Sequence, residues 1–105
     1  LGVAYKPDID DVRESPALDV IGLLQEYGAE VHFHDPYIPE VRHDDWKLHT
    51  VGDLLSEVED PDCVVMVTDH SSYDLHAVYQ ASHLVVDTRN AFGAIVDDRE
   101  IIVTL

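Results

Sequence analysis

The stretch DCVVMVT at 62–68 narrows the fold more than any other part of the chain. A strand with one wet face alternates apolar and polar residues. A strand covered on both faces does not, so this continuous apolar run reads as a central strand of a parallel sheet. HLVVDTRN at 83–90 is a second buried strand, running into polar residues, and SSYDLHAVYQAS at 71–82 between them reads as a helix. Strand, helix, strand in that order implies a right-handed crossover. The alternation extends both ways. LGVAY at 1–5 reads as a short buried strand, SPALDVIGLLQEYG at 15–28 as a helix, and EVHFHDP at 30–36 as a strand closed by Asp-Pro. Ser15 is a good N-cap, Pro16 suits the first helical position, and Gly28 is a natural stop. Ala17, Val20, Ile21, Leu24 and Tyr27 recur at helical spacing and are expected to face the core. Residues 37–46 carry prolines and charges without periodicity and read as a loop, with KLHT (47–50) as a short edge strand. TVGDLLSEVED at 50–60 reads as a short helix capped by Thr50, and EIIVTL at 100–105 as a last strand. The predicted fold class is α/β, a Rossmann-like three-layer αβα arrangement with a mainly parallel sheet of about five strands, forming one domain over 1–105.

Composition excludes several partners. The chain holds 22 acidic residues against 6 basic ones, a formal net charge of −16. Nucleic acid and anionic membranes are therefore not expected partners, and any anion site needs local cations to work against the overall field. Only Lys6 and Lys47 are lysines. Acidic surplus with scarce lysine is common in proteins of salt-loaded cytoplasms; an ordinary acidic bacterial domain is the other reading. No run approaches the roughly 18 apolar residues of a membrane span, and no basic-then-apolar leader is present. LGVAY begins within a strand and without Met, so the chain is expected to be a piece of a longer protein. The lone Cys63 excludes an internal disulfide and fits a reducing, cytoplasmic setting. Within its apolar run it reads as a buried, inert thiol rather than a nucleophile.

Ligands of open parallel sheets sit beyond the carboxyl ends of the strands. The residues there are Tyr5, Lys6, Pro7 and Arg13 after the first strand, Asp35 to Tyr37 after the second, Asp69 and His70 after the third, and Asp87 to Asn90 after the fourth. Lys6, Arg13 and Arg89 are half of all the basic residues. Arginine offers a planar fork to phosphate or carboxylate, lysine a point charge, and the helix start at Ser15–Ala17 adds free N–H groups. Asp8, Asp10, Asp11 and Glu14 surround two of these cations, so structural ion pairing is the competing reading. The glycine fingerprint of a dinucleotide turn is absent after the first strand, which reads GVAYKP. Asp35 stands where a ribose-binding acid would sit, but without the glycines a strand-ending Asp-Pro turn is the stronger reading. His32 and His34 share a strand face, and His70 and His76 are six apart, but none has zinc-site spacing, and no metal is expected. His70 could orient the following helix or reach the strand edge.

These segments resemble a known family. LGVAYKPDIDDVRESPALDVI, GAEVHFHDPYIP, DCVVMVTDHSSYD and VVDTRN are similar, in order and spacing, to the C-terminal domain of the UDP-glucose/GDP-mannose dehydrogenase family. YKPDIDDVRESPAL is most like the branch acting on UDP-N-acetylmannosamine or UDP-N-acetylglucosamine. The resemblance implies an enzyme that oxidises the C6 alcohol of a nucleotide sugar to a carboxylate in two steps with two NAD⁺. It also implies an N-terminal NAD domain, a central helical region with the catalytic cysteine, and a homodimer. Carried over by motif, Tyr5 and Lys6 contact the UDP-sugar substrate, Arg89 helps hold its nucleotide, and Arg13 reaches toward the NAD pyrophosphate. The family's cysteine motif and NAD fingerprint are not in this chain, so no catalytic residue is expected in it and it should be inactive alone. The alternatives are the matching domain of a UDP-glucose or GDP-mannose 6-dehydrogenase, a receiver-like module with Asp10 and Asp11 as its acidic pair, or a free-standing acidic interaction domain.

Overall fold

The structure, a computed structural model, describes residues 1–13, 15–43 and 46–105. Helix α1 spans Pro16–Glu26. Ser15 caps it, its hydroxyl accepting from the Ala17 N–H at 3.2 Å, and Pro16 opens it. The chain leaves the helix through Gly28 at φ 92°, a left-handed turn that glycine makes without Cβ strain. Ala17 and Ile21 are buried, whereas Tyr27, expected on the core face, is 89% exposed. It lies at the C-cap, where the helical register no longer fixes its direction.

Two short strands follow, β1 (Glu40–His43) and β2 (Trp46–His49), paired antiparallel with Val41 opposite Leu48. Then come α2 (Leu54–Glu59), β3 (Val64–Met66), α3 (Leu75–Ala81), β4 (Val85–Asp87) and β5 (Ile102–Thr104). The last three strands form a parallel sheet in the order β3-β4-β5, with Val64 beside Val85 and Val85 beside Ile102. Successive side chains of a strand point to opposite faces. Val64 and Met66 accordingly join a cluster with Val58 of α2 and Val78 and Tyr79 of α3. Val67 belongs instead to a second cluster, with Ala17 and Ile21 of α1. Helices thus cover β3 on both sides, the α/β three-layer arrangement that its continuous apolar run requires.

Several elements differ from expectation. The sheet has three assigned strands rather than about five. Residues 1–4 run along the free edge of β3, the Val67 N–H donating to the Leu1 carbonyl at 2.9 Å, and Gly2 donates to the His34 carbonyl at 2.9 Å. Both extended segments therefore continue the sheet, but their rungs are too few to make ladders. Residues 37–46 are not simply a loop, because β1 lies within them and pairs with β2. Thr50 does not cap α2. It bridges Phe33, and its hydroxyl accepts the Asp35 N–H at 3.0 Å, so the helix begins later, after Asp53. The third helix also starts late, at Leu75, because Asp74 takes the cap by accepting from the Ala77 N–H.

Candidate functional site

Lys6 is carried on a turn beyond the end of the first extended segment. Thr68, just past β3, anchors that segment, its hydroxyl donating to the Ala4 carbonyl at 2.6 Å. Tyr5 folds the following residues back by donating its N–H to the Asp11 carbonyl at 2.6 Å. Tyr5 and Lys6 are both exposed, and the Lys6 ammonium lies 5.8 Å from the centre of the Tyr5 ring. The ring and the charge therefore present one surface.

Arg89 reaches the same rim from β4. Asp87, fully buried, accepts from the N–H groups of Arg89, Ala91 and Phe92 at 2.9–3.1 Å and holds the loop in a tight turn. The Thr88 hydroxyl donates to the Met66 carbonyl at 2.6 Å. Arg89 Nε donates to the Val67 carbonyl at 2.8 Å. Its anchor thus adjoins Thr68, which anchors the turn of Lys6. Among the described residues neither Lys6 nor Arg89 has an ion-pair partner.

Arg13 behaves differently. Its Nε and Nη2 donate to the two carboxylate oxygens of Asp11 at 3.1 and 2.9 Å. The guanidinium holds the Asp11 carboxyl down at about 2, and Arg13 itself is pushed up. The ion-pair reading thus describes Arg13, with Asp11 as partner. The pair is exposed, where such contacts are worth little. Glu14, expected beside Lys6 and Arg13, lies outside the described residues.

Beneath the rim is a buried polar cluster. Asp35 Oδ2 accepts from the N–H groups of Val3 and Ala4 at 2.8 and 3.2 Å and from His70 Nε2 at 2.8 Å. Its Oδ1 accepts from Tyr37 and Ile38 at 2.8 and 3.1 Å. Burial pushes the Asp35 carboxyl up, but the donated hydrogen bonds of Val3, Tyr37 and His70 outweigh it and leave the group below its ordinary range. An acid so fully occupied has no lone pair left for a ribose. Asp35 is a structural centre that locks the strand ends together.

The turn after the first extended segment and the start of α1 do not by themselves form a pyrophosphate cradle. The Ser15 hydroxyl already fills the N-terminus of α1, and the Tyr5–Asp11 hydrogen bond closes the turn where a pyrophosphate would approach. Among the described residues no three His, Cys, Asp or Glu side chains converge to hold a metal ion. Burial pushes the half-buried Cys63 thiol up, consistent with an inert group. A cavity of about 570 Å³ lies elsewhere, lined by Val20, Ile21, Leu24, Val31, Val58 and Val64 among others, and none of the four candidate site residues borders it. Its lining is mixed, with His32, His34, Glu30, Glu57, Asp60 and Asp62 beside those apolar side chains. Among the described residues no helix is long and apolar enough to cross a membrane.

Sequence reading missed three supports of the rim. Gly2 has φ 82°, and a Cβ there would stand 2.1 Å from the Thr68 carbonyl oxygen. A glycine inside a strand pattern signals such a close approach. The pairing of Asp35 with His70 leaves no local signal, since 35 residues separate them. Asp87, the third, sits at the end of a buried run ahead of Thr-Arg-Asn, a placement typical of an aspartate that binds its own backbone.

Comparison with known proteins adds a family. The model of the UDP-glucose/GDP-mannose dehydrogenase family, UDP binding domain, matches residues 1–94. UDP-glucose 6-dehydrogenase TuaD of Bacillus subtilis (strain 168) is 35% identical over 102 residues, covering 89% of this chain and 22% of that protein. A UDP-N-acetyl-D-mannosamine dehydrogenase of Methanococcus aeolicus is 29% identical over 100 residues, covering 88% and 22%. The solved UDP-N-acetyl-mannosamine dehydrogenase from S. aureus superposes with a TM-score of 0.71 at 28% identity, over 98% of this chain and 24% of that one. The chain spans about a quarter or less of the length of these relatives.

Proposed function

The chain belongs to the UDP-glucose/GDP-mannose dehydrogenase family, matching its UDP-binding domain, and on that premise we propose that its rim grips the UDP end of a nucleotide-sugar substrate. Lys6 neutralises the diphosphate, Tyr5 lies against the sugar nucleotide, and Arg89 fixes the nucleotide end. The observation that carries this reading is that Lys6 and Arg89 lack acid partners among the described residues of a chain of net charge −16 and are anchored at adjacent residues, Thr68 and Val67.

The longer protein is an NAD-dependent nucleotide-sugar 6-dehydrogenase, oxidising a C6 alcohol to a carboxylate in two steps. Its substrate is a UDP-N-acetylhexosamine, as the names of several relatives and the YKPDIDDVRESPAL motif favour. NAD, bound by an N-terminal domain, supplies the hydride acceptor, and Arg13, exposed and paired with Asp11 in this chain, would contribute to holding its pyrophosphate. The catalytic cysteine belongs to a central helical region, and the full enzyme works as a cytoplasmic homodimer. The domain's contribution is binding energy from a remote part of the substrate, which orients C6 at the reacting centre. A charge-assisted contact is worth roughly 1.5–3 kcal/mol, so Lys6→Ala should weaken UDP binding about ten- to hundredfold. Calorimetric titration of the chain with UDP tests this. Equal affinity in wild type and Lys6→Ala would remove the proposed role of Lys6.

A further inference from the structure

We infer that His70 is a positioning residue for the UDP-binding turn, acting as one half of a buried clamp that grips the turn on both sides of Lys6. This rests on the UDP-binding reading above and assigns how the site is held in shape. The turn is exposed and belongs to no strand ladder, so something else must fix it. Before Lys6, the N–H groups of Val3 and Ala4 are held by Asp35 Oδ2. After Lys6, the N–H of Asp8 donates to His70 Nδ1 at 2.8 Å. The two anchors are joined, because His70 Nε2 donates to Asp35 Oδ2 at 2.8 Å, and both side chains are fully buried.

The ring's roles follow from its neighbours. Nδ1 receives an N–H, so it carries no proton; Nε2 faces a carboxylate, so it carries one. Only the neutral ring, protonated at Nε2, satisfies both contacts, and each fixes the other. Tyr37 and Tyr73 stand against the ring, with centroids 5.0 and 5.8 Å away, and prevent it from turning. Asp8 adopts the left-handed φ of 64° and also accepts from the Ser71 N–H at 2.7 Å. That conformation is uncommon for a residue other than glycine and persists only when its surroundings hold it. Lys6 therefore sits two residues from either anchor, and the turn is ordered before ligand arrives, which lowers the ordering cost of binding.

Two substitutions split the ring's functions. In His70→Asn the amide oxygen stands where Nδ1 was and still accepts from Asp8, while the contact to Asp35 is lost. In His70→Gln the longer amide reaches Asp35 as a donor, but the Asp8 N–H is left unpaired. UDP affinity is measured by titration well below each variant's melting temperature. Asp8 amide hydrogen exchange is measured alongside, without ligand. The expected result is a loss of about tenfold or more in UDP affinity in His70→Gln, with fast exchange at Asp8. His70→Asn should stay within about threefold of wild type, with Asp8 still protected. The inference is overturned if Asp8 exchanges alike in both variants, or if His70→Gln binds UDP as wild type does. If wild type itself does not bind UDP, the functional reading fails, while the exchange measurement still decides the clamp.

Discussion

Arg89 donates from Nε to the Val67 carbonyl at 2.8 Å, which leaves Nη1 and Nη2 without a protein partner among the described residues. One nitrogen fixes the direction of the fork and two remain for a ligand. Arg89→Ala should therefore lower UDP affinity about tenfold or more, while the melting temperature moves little because the side chain is exposed. Arg89→Lys should recover only part of the loss, since a single ammonium lacks the rigid fork in which Nε holds the carbonyl and two further nitrogens face the ligand. Parallel titration and thermal melts check this. Full recovery by lysine would show that charge alone matters.

Gly2 is the most tightly enclosed of the glycines. Its φ of 82° and the 2.1 Å approach to the Thr68 oxygen leave no room for a Cβ. Gly2→Ala must move backbone as well as adopt a costly φ, a loss of about 3 kcal/mol or more. A thermal melt should show a drop of roughly 10–20 °C.

Arg99 tests stability apart from the site. Its guanidinium donates to the carbonyls of Tyr79, Gln80 and Ser82 at 2.7–3.2 Å, closing the C-terminal end of α3. Arg99→Ala should cost about 1–2 kcal/mol through the lost cap. UDP affinity below the melting temperature should not change, as titration at low temperature will show.

Acid stability reports on Asp35. Its carboxyl lies below the ordinary value of 3.8 in the folded chain. A depressed acid contributes stability that is complete above the unfolded value and is lost as pH falls through the folded one. Asp35→Asn should be less stable by about 2–4 kcal/mol at neutral pH. That gap should hold down to about pH 5 and close below the ordinary value, because wild type loses its advantage as the acid protonates. Chemical denaturation of both proteins across pH measures it. A constant gap down to pH 2 would show that Asp35 carries no charge-dependent contribution.

The legible parts of this protein were those encoded by local pattern. The continuous run around Val64–Met66 marked a doubly covered strand, and Ser15, Pro16 and Gly28 bracketed α1 almost to the residue. Lys6 and Arg89 stand out in the sequence because strand ends locate ligands and cations are scarce in this chain. What stayed hidden was long-range. His70 meets Asp35 only through the fold, and Thr50 left its expected cap because a partner 15 residues away claimed its hydroxyl. The hairpin of β1 and β2 was missed because Arg42, His43, Lys47 and His49 hide the alternation carried by Val41 and Leu48.

In the proposed binding mode a few local cations overcome a net charge of −16 to hold a diphosphate. Calorimetric titration of the chain with uridine, UMP and UDP in the same buffer tests it most directly. Each added phosphate should tighten binding in spite of the overall repulsion, with UDP strongest. Affinity that stays level or falls from uridine to UDP would contradict it.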